Sequence, residues 1–228
     1  MSVTSFFTPT ASRVPTRRLV RAAAVAAVLA VPVAGALPAS AAVAPADRVH
    51  ASDLPTVGEV SRIYPAVAGG HREVMAGRDT MRRSADCMGW ENGPDAASGR
   101  WAYYTDAGGQ SPYFSGKADP VVFVWKFHTV AGAKRGFASE WNASRDCAGT
   151  HTFEDSTVVT QVVTVPDLGS RSQAWRDAES SSSGEDHFLT QLTRRGRYLV
   201  ETRVQAPGFV PAKAPLVDLT RATLARLP

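Results

Sequence analysis

The chain has 228 residues, with 25 lysines and arginines against 21 aspartates and glutamates, so its formal net charge is +4. Four arginines precede the first acidic residue, and without them the chain has 21 basic and 21 acidic residues. Because this balance removes the basic footprint of nucleic-acid-binding proteins and of proteins that lie on anionic membranes, we expect neither class.

The first segment has the pattern of a secretory signal peptide, which we assign to residues 1–41. Its arginines precede an apolar run, Ala22–Val31, and Ala39-Ser40-Ala41 precedes the expected cleavage point. The apolar run is short for a permanent membrane helix, although an uncut anchor is the alternative. Thr16–Val20 loosely resembles a twin-arginine signal, so the export route stays open. No cysteine lies near the cleavage point, so we expect a secreted product without a membrane or lipid anchor.

The two cysteines, Cys87 and Cys147, are predicted to form a disulfide because an exported chain meets an oxidising environment. Such a bridge closes a loop of about 60 residues and contributes about 4 kcal/mol in the chain-entropy model. Two free thiols, or one reactive cysteine with a partner base, are the alternatives. Asp86 and Asp146 each precede a cysteine and disfavour a thiolate, which favours the bridge.

The mature chain is predicted to begin with a flexible tail, residues 42–52, followed by one domain over residues 53–228. Thr56 and Glu59 have the spacing of a capping box, which predicts a short helix that ends at Pro65.

The next segment, residues 66–85, is rich in glycine and charge and is expected to be a loop with one helical turn around residues 72–76. Short strands are predicted at residues 87–90 and 100–105, with a turn at residues 92–95 between them.

The strongest strand pattern is at residues 121–130, a near-continuous run of β-branched and aromatic residues that is typical of the interior of a sheet. A helix is predicted at residues 131–145, because Ala133, Phe137 and Trp141 fall on one helical face.

The last part of the chain is predicted to contain more strands and a final helix. Strands are expected at residues 157–165 and 173–178, a hairpin at residues 186–193 and 197–204, and a helix at residues 216–227. This order predicts an α+β fold: a central antiparallel β-sheet of about five to seven strands, with helices packed on one face and one disulfide.

Catalytic motifs are missing, since the sequence has no G-x-S-x-G, S-x-x-K, H-E-x-x-H or phosphate-binding loop. His151 lies near Glu154 and Asp155, and His187 follows Glu185 and Asp186. Either acidic pair could assist a histidine as a base or bind a cation, but charged residues are also common in loops and at strand starts. We therefore expect no catalytic residue, no metal and no cofactor.

Aromatic residues are concentrated between residues 90 and 114. Stacking on a sugar or holding an apolar ligand is one expectation for this set, and filling the core is the alternative. The candidate ligand-binding residues are Trp90, Trp101, Tyr103, Tyr104, Tyr113 and Phe114.

The order of several features carries a family resemblance. A capped helix at residues 54–60 comes first, Asp86–Trp90 opens a strand with a cysteine, and the A-x-x-x-F-x-x-x-W helix ends near Cys147 before a valine-rich strand and a late hairpin. These features resemble the PknH-type extracellular sensor domains of actinobacteria, which include outer domains of some serine/threonine kinases and many free-standing exported proteins. The resemblance covers roughly residues 53–228. It implies one antiparallel sheet with helices and a ligand-receiving cleft, and it brings no catalytic residues.

The leading functional hypothesis is an exported, non-enzymatic, sensor-like domain that captures a small molecule or a cell-envelope component in a cleft. The segments at residues 66–85 and 90–114 are the candidate walls. A protein-interaction or inhibitor domain is one alternative, and a secreted hydrolase of envelope polymers that uses His151 or His187 is another.

Overall fold

The computed structural model describes residues 48–228, so the predicted signal peptide and most of the predicted tail lie outside the described residues. Within this range, no helix combines the length and the hydropathy needed to cross a membrane. The helices and strands, in chain order, are α1 (Val57–Ser61), β1 (Arg72–Gly77), β2 (Met81–Arg83), β3 (Trp90–Asn92), β4 (Ser98–Tyr104), β5 (Asp119–Lys126), α2 (Val130–Asp146), β6 (Gly149–Phe153), β7 (Ser156–Val163), β8 (Arg171–Ser181), β9 (Gly184–Arg195), β10 (Tyr198–Pro207) and α3 (Lys213–Ala225).

The prediction of an α+β fold with an antiparallel sheet is confirmed. The main sheet has eight strands in the order β1-β4-β5-β10-β9-β8-β7-β6, and β2 pairs with β3 in a separate two-stranded sheet. All neighbouring strands are antiparallel. The predicted β9–β10 hairpin is present, and Gly196 supplies the positive φ of its turn.

The sheet is larger than the predicted five to seven strands because both of its edge strands have weak sequence patterns. At one edge, β6 has the sequence GTHTF and is mostly exposed, so no alternation of buried residues marks it. At the other edge, β1 lies in the segment that was expected to be a loop with a helical turn around residues 72–76. That expectation is wrong. Residue types such as Glu73 and Met75 favour a helix, but the strand β1 pairs with β4 along its whole length.

A second correction concerns the strand expected at residues 87–90. The strand β3 starts only at Trp90, and Cys87 lies in the preceding turn with a φ of 63°. The remaining strand and helix predictions correspond to β4, β5, α2, β7, β8, β9, β10 and α3, with shifted ends.

The helices cover both faces of the sheet, whereas the sequence suggested one face. Val122 and Val124 of β5 lie in a core cluster with residues of α1 and α3. Trp125, the next residue along β5, belongs to a second cluster with Phe137 of α2. Because central strands such as β5 carry large apolar side chains on alternate sides, each face needs its own cover.

The first helix begins with the predicted capping box. The Glu59 amide donates to Thr56 Oγ1 at 3.3 Å, and the Thr56 amide donates to Glu59 Oε2 at 2.7 Å. Glu59 also pairs with Arg226 at 2.7 Å. This ion pair connects α1 to the end of α3, so the capping residue also orients the two helices on their shared face of the sheet.

The disulfide between Cys87 and Cys147 is confirmed, with a Cα–Cα distance of 5.5 Å. Cys147 is the C-cap of α2, and Cys87 lies between β2 and β3. The bridge therefore attaches the small β2–β3 sheet to the end of α2.

We expect the double substitution Cys87→Ser and Cys147→Ser to lower the free energy of unfolding by up to about 4 kcal/mol. The reason is that the bridge joins residues 60 positions apart and so reduces the conformational entropy of the unfolded chain. Guanidinium chloride unfolding of both proteins under non-reducing conditions measures this. Wild-type protein unfolded in reductant is the control and should match the variant. Equal stability of oxidised wild type and variant would contradict the prediction.

Candidate functional site

One face of the sheet carries a row of aromatic side chains on β4 and β5. Alternation along β4 places Trp101 and Tyr103 on this face, and the register pairs them with Phe123 and Val121 of β5. The rings of Phe123 and Trp125 are nearly parallel and stacked, with centroids 5.5 Å apart, and the Trp101 ring lies 6.3 Å from that of Phe123. Together these rings form an aromatic floor, in which Trp101 and Phe123 are partly exposed and Trp125 is buried.

Two glycines make room for this floor. Gly77 of β1 and Gly99 of β4 are directly paired across the strands. A Cβ at Gly77 would lie 2.6 Å from Cζ3 of Trp101. A Cβ at Gly99 would contact the Trp125 indole and lie 2.6 Å from the Gly77 carbonyl oxygen. Each indole therefore lies over a glycine of the neighbouring strand, in space that a side chain would fill.

The small β2–β3 sheet forms a wall beside the floor and presents Met81, Trp90 and Asn92. Besides the disulfide, Arg83 of β2 holds this wall through an ion pair with Asp177 of β8. The two side chains are 5% and 2% exposed, and Thr160 donates to the same carboxylate at 2.7 Å. A buried, hydrogen-bonded pair of this kind strongly resists separation, because either charge alone is costly to bury.

The floor and the wall enclose a cleft of about 320 Å³, which we call the aromatic cleft. Another depression of about 380 Å³ lies around residues 76–78 and 97–100, but no aromatic side chain lines it. The aromatic cleft is lined by Gly77, Asp79, Met81, Trp90, Asn92, Trp101, Tyr103, Phe123, Trp125 and Arg203.

Arg203 of β10 is the guanidinium that lines the aromatic cleft. Its carbon Cζ lies 4.2 Å from the Trp90 ring centroid and 5.7 Å from that of Phe123. Its Nη2 pairs with Glu201 at 2.6 Å, and the Glu201 side chain is fully buried. The charge of Arg203 is therefore compensated from inside the protein.

A second buried carboxyl group, Glu140 of α2, lies next to this pair. Burial raises the pKa of Glu140 well above its ordinary value, and the neighbouring Glu201 raises it further, while Arg203 acts in the opposite direction. The raised pKa favours the neutral acid at Glu140, which lies beside the Glu201–Arg203 ion pair.

Tyr103, which lines the aromatic cleft, is 37% exposed. Burial raises its pKa, and Arg203 partly opposes this change. The hydroxyl already accepts a hydrogen bond from the Trp101 indole, and its own proton can be donated to a bound molecule.

The six aromatic candidates from the sequence separate into two groups. Trp90, Trp101 and Tyr103 meet in the aromatic cleft. Tyr104 points to the opposite face, because adjacent strand residues alternate, and its buried hydroxyl donates to the Pro55 carbonyl at 2.8 Å.

The other two candidates lie outside the aromatic cleft. Tyr113 donates to the Asp186 carboxylate at 2.7 Å, and this hydrogen bond raises the pKa of Tyr113 to about 12. Phe114 is 77% exposed and contacts the edge of Tyr113. Neither of the two lines the aromatic cleft.

The two histidines of the hydrolase hypothesis also lie elsewhere. Nε2 of His151 is 3.0 Å from the Cys147 carbonyl oxygen. His187 is buried near Glu185, at 3.4 Å. Neither side chain lines the aromatic cleft.

Seven cleft residues were not among the sequence-based candidates: Gly77, Asp79, Met81, Asn92, Phe123, Trp125 and Arg203. For two of them a signal was present, since Phe123 and Trp125 alternate with Val122 and Val124 and so mark an aromatic face of the strand. Arg203 reaches the site only through the pairing of β10 with β5, which local sequence does not reveal.

No protein-family model matches the chain, and no curated protein matches it. Among solved structures, the chain is similar to the extracellular domain of PknH from Mycobacterium tuberculosis, with a TM-score of 0.49 and 13% identity over 77% of this chain and 93% of that chain. It is also similar to an uncharacterised protein from Mycobacterium smegmatis, an ortholog of Rv0999, with a TM-score of 0.38 and 10% identity over 76% of this chain and 97% of that chain. The expected resemblance to the PknH-type domain is thus found again among solved structures, and at these values it assigns neither a ligand nor an activity.

We expect Gly99→Ala to lower the free energy of unfolding by about 1–3 kcal/mol, because the added methyl group collides with Trp125 and with the Gly77 backbone. Urea unfolding measures the change. Gly58→Ala is the matched control: its Cβ would meet nothing within 4 Å, and alanine favours the helix there. Equal effects of the two substitutions would contradict the proposed close packing.

A second prediction concerns Glu140→Gln. Because its pKa is raised in the native protein, Glu140 keeps its proton at pH values where the unfolded chain releases it. The stabilisation from this proton is complete below the ordinary glutamate pKa. It is lost as the pH rises through the raised pKa of the native protein. The amide stays neutral, so wild-type stability should fall relative to the variant as the pH rises above the ordinary glutamate pKa. Urea unfolding across a series of pH values measures this difference, with Glu91→Gln on the exposed surface as control. Parallel pH profiles for wild type and Glu140→Gln would refute the elevated pKa.

Proposed function

We propose that this chain is an exported, sensor-like domain that captures a small molecule or a cell-envelope component in the aromatic cleft. The observation that carries the proposal is a concave site of about 320 Å³ in which Trp90, Trp101 and Tyr103 converge with a few polar groups. Preformed pockets with mostly apolar walls and a small number of polar side chains are typical of small-molecule sites.

The rigidity of the site supports a binding role. Its floor belongs to the main sheet, and its wall is attached by the Cys87–Cys147 disulfide and by the buried Arg83–Asp177 pair. A site that is already ordered loses less conformational entropy when a ligand binds, and this favours affinity.

The residues that line the aromatic cleft suit ligand binding better than catalysis. Catalysis by acid–base transfer needs a titratable group within hydrogen-bond reach of the substrate. Two titratable side chains in the lining are restrained: Arg203 is held in an ion pair, and the raised pKa of Tyr103 favours its neutral phenol. The third, Asp79, has no histidine or second acid beside it in the lining, and His151 and His187 lie outside the aromatic cleft. We therefore propose a non-enzymatic domain.

The disulfide supports a location outside the cytoplasm. Disulfides persist mainly in oxidising compartments outside the cytoplasm. The bridge thus agrees with the signal peptide expected at residues 1–41, and we propose a secreted product.

Native mass spectrometry of the protein purified from the culture medium of its producing cell tests the proposal. We expect wild type to carry a co-purified ligand and Trp101→Ala to lose it, with at least about tenfold weaker rebinding of the extracted ligand, because removing a central aromatic contact costs more than about 1.4 kcal/mol.

Phe114→Ala is the matched control, since it removes an exposed aromatic ring that does not line the aromatic cleft. This variant should keep the ligand. A ligand retained equally by Trp101→Ala, or lost equally from both variants, would overturn the assignment of the aromatic cleft.

A further inference from the structure

The electrostatics of the aromatic cleft disfavour a charged ligand. An anion would have to compete for Arg203 with Glu201, which is fully buried and has no access to water. A cation could pair with Asp79 in the lining, but it would approach the aromatic faces that Arg203 already occupies, at 4.2 Å from the Trp90 centroid. A neutral molecule avoids both penalties.

The same site is poorly suited to a purely apolar molecule. Hydrogen-bond donors and acceptors also line the cleft, on Asp79, Asn92, Tyr103 and Arg203. Covering these groups with hydrocarbon would remove their water without replacing its hydrogen bonds, and each such loss costs about 1–3 kcal/mol. The ligand should therefore combine an apolar surface with several hydroxyl or amide groups.

A sugar ring has this combination of surfaces. One side of a pyranose ring presents C–H groups, which pack on an aromatic face, and the ring edge presents hydroxyls that both donate and accept. The aromatic cleft offers the complementary arrangement, with the partly exposed rings of Trp101 and Phe123 as a floor and polar side chains around it. Its volume of about 320 Å³ lies near the lower end of ligand pockets, which span about 300–1,000 Å³, and suits one or two rings.

We propose that the ligand of the aromatic cleft is a neutral saccharide, with one or two pyranose rings stacked on Trp101 and Phe123, the partly exposed rings of the floor. This inference rests on the proposed ligand-binding function and names its ligand class. Trp101 supplies stacking area, while Arg203 and Tyr103 contact hydroxyl groups of the sugar.

Saturation-transfer NMR and calorimetric titration test the proposal with four probes on the disulfide-bonded protein. Maltose and N,N′-diacetylchitobiose are the neutral saccharides, 4-hydroxybenzoate is a planar anion, and indole is an apolar ring. We expect at least one neutral disaccharide to bind with its ring C–H protons saturated, and with an affinity unchanged between about 0.05 and about 0.5 M NaCl, because no net charge is paired.

The site is assigned with three variants. Trp101→Ala should weaken saccharide binding at least about tenfold, and Tyr103→Ala, which alters a more exposed side chain, gives a second test if the first variant unfolds. Phe114→Ala should leave affinity unchanged.

The outcomes separate the two proposals. Binding of 4-hydroxybenzoate or indole alone, weakened by the cleft variants, would overturn the saccharide and keep the aromatic cleft as a ligand site. Absence of cleft-dependent binding by all four probes, together with ligand-free protein from the culture medium, would overturn both.

Discussion

The attachment of the small β2–β3 sheet to the rest of the domain is the constraint on which the site depends. This segment has little apolar surface of its own, and two paired strands are marginal in isolation. The Cys87–Cys147 bridge ties it to the end of α2, and the buried Arg83–Asp177 pair ties it to β8. These two bonds come from distant parts of the chain and hold Trp90 in place as one wall of the aromatic cleft.

Three neighbouring side chains connect the buried side of α2 to the aromatic cleft: Glu140, Glu201 and Arg203. Glu140 and Glu201 are buried close together, which raises the pKa of Glu140 and leaves Glu201 to pair with Arg203. The guanidinium is therefore fixed by a partner inside the protein while its outer side lines the site. A buried ion pair contributes little net stability, so its value here lies in holding Arg203 in one orientation against Trp90.

The aromatic floor depends on packing as close as that of the core. Gly77 and Gly99 leave the space that the Trp101 and Trp125 indoles occupy. Trp125 is buried, so the accessible apolar surface of the floor comes from Trp101 and Phe123. The proposed binding role and the proposed saccharide ligand both rest on that surface and on the ion pair that holds Arg203.

Local patterns in the sequence were sufficient for the elements that carry strong signals. The capping residues Thr56 and Glu59 marked α1, and apolar periodicity marked β5, α2 and the β9–β10 hairpin. The two cysteines allowed one internal pairing, so the bridge followed from the expected export. The α+β class was determined by the order of these elements.

Tertiary structure decided the edges of the sheet, the side on which each helix packs, and the membership of the site. β1 and β6 form because a neighbouring strand supplies their hydrogen bonds, and no local pattern reports such a partner. Tyr103 and Tyr104 are adjacent in sequence and reach opposite faces, while Arg203 joins Trp90 across more than a hundred residues. The sequence by itself determined which aromatic residues were available, and strand pairing determined which of them meet, because only register and burial bring distant side chains to one surface.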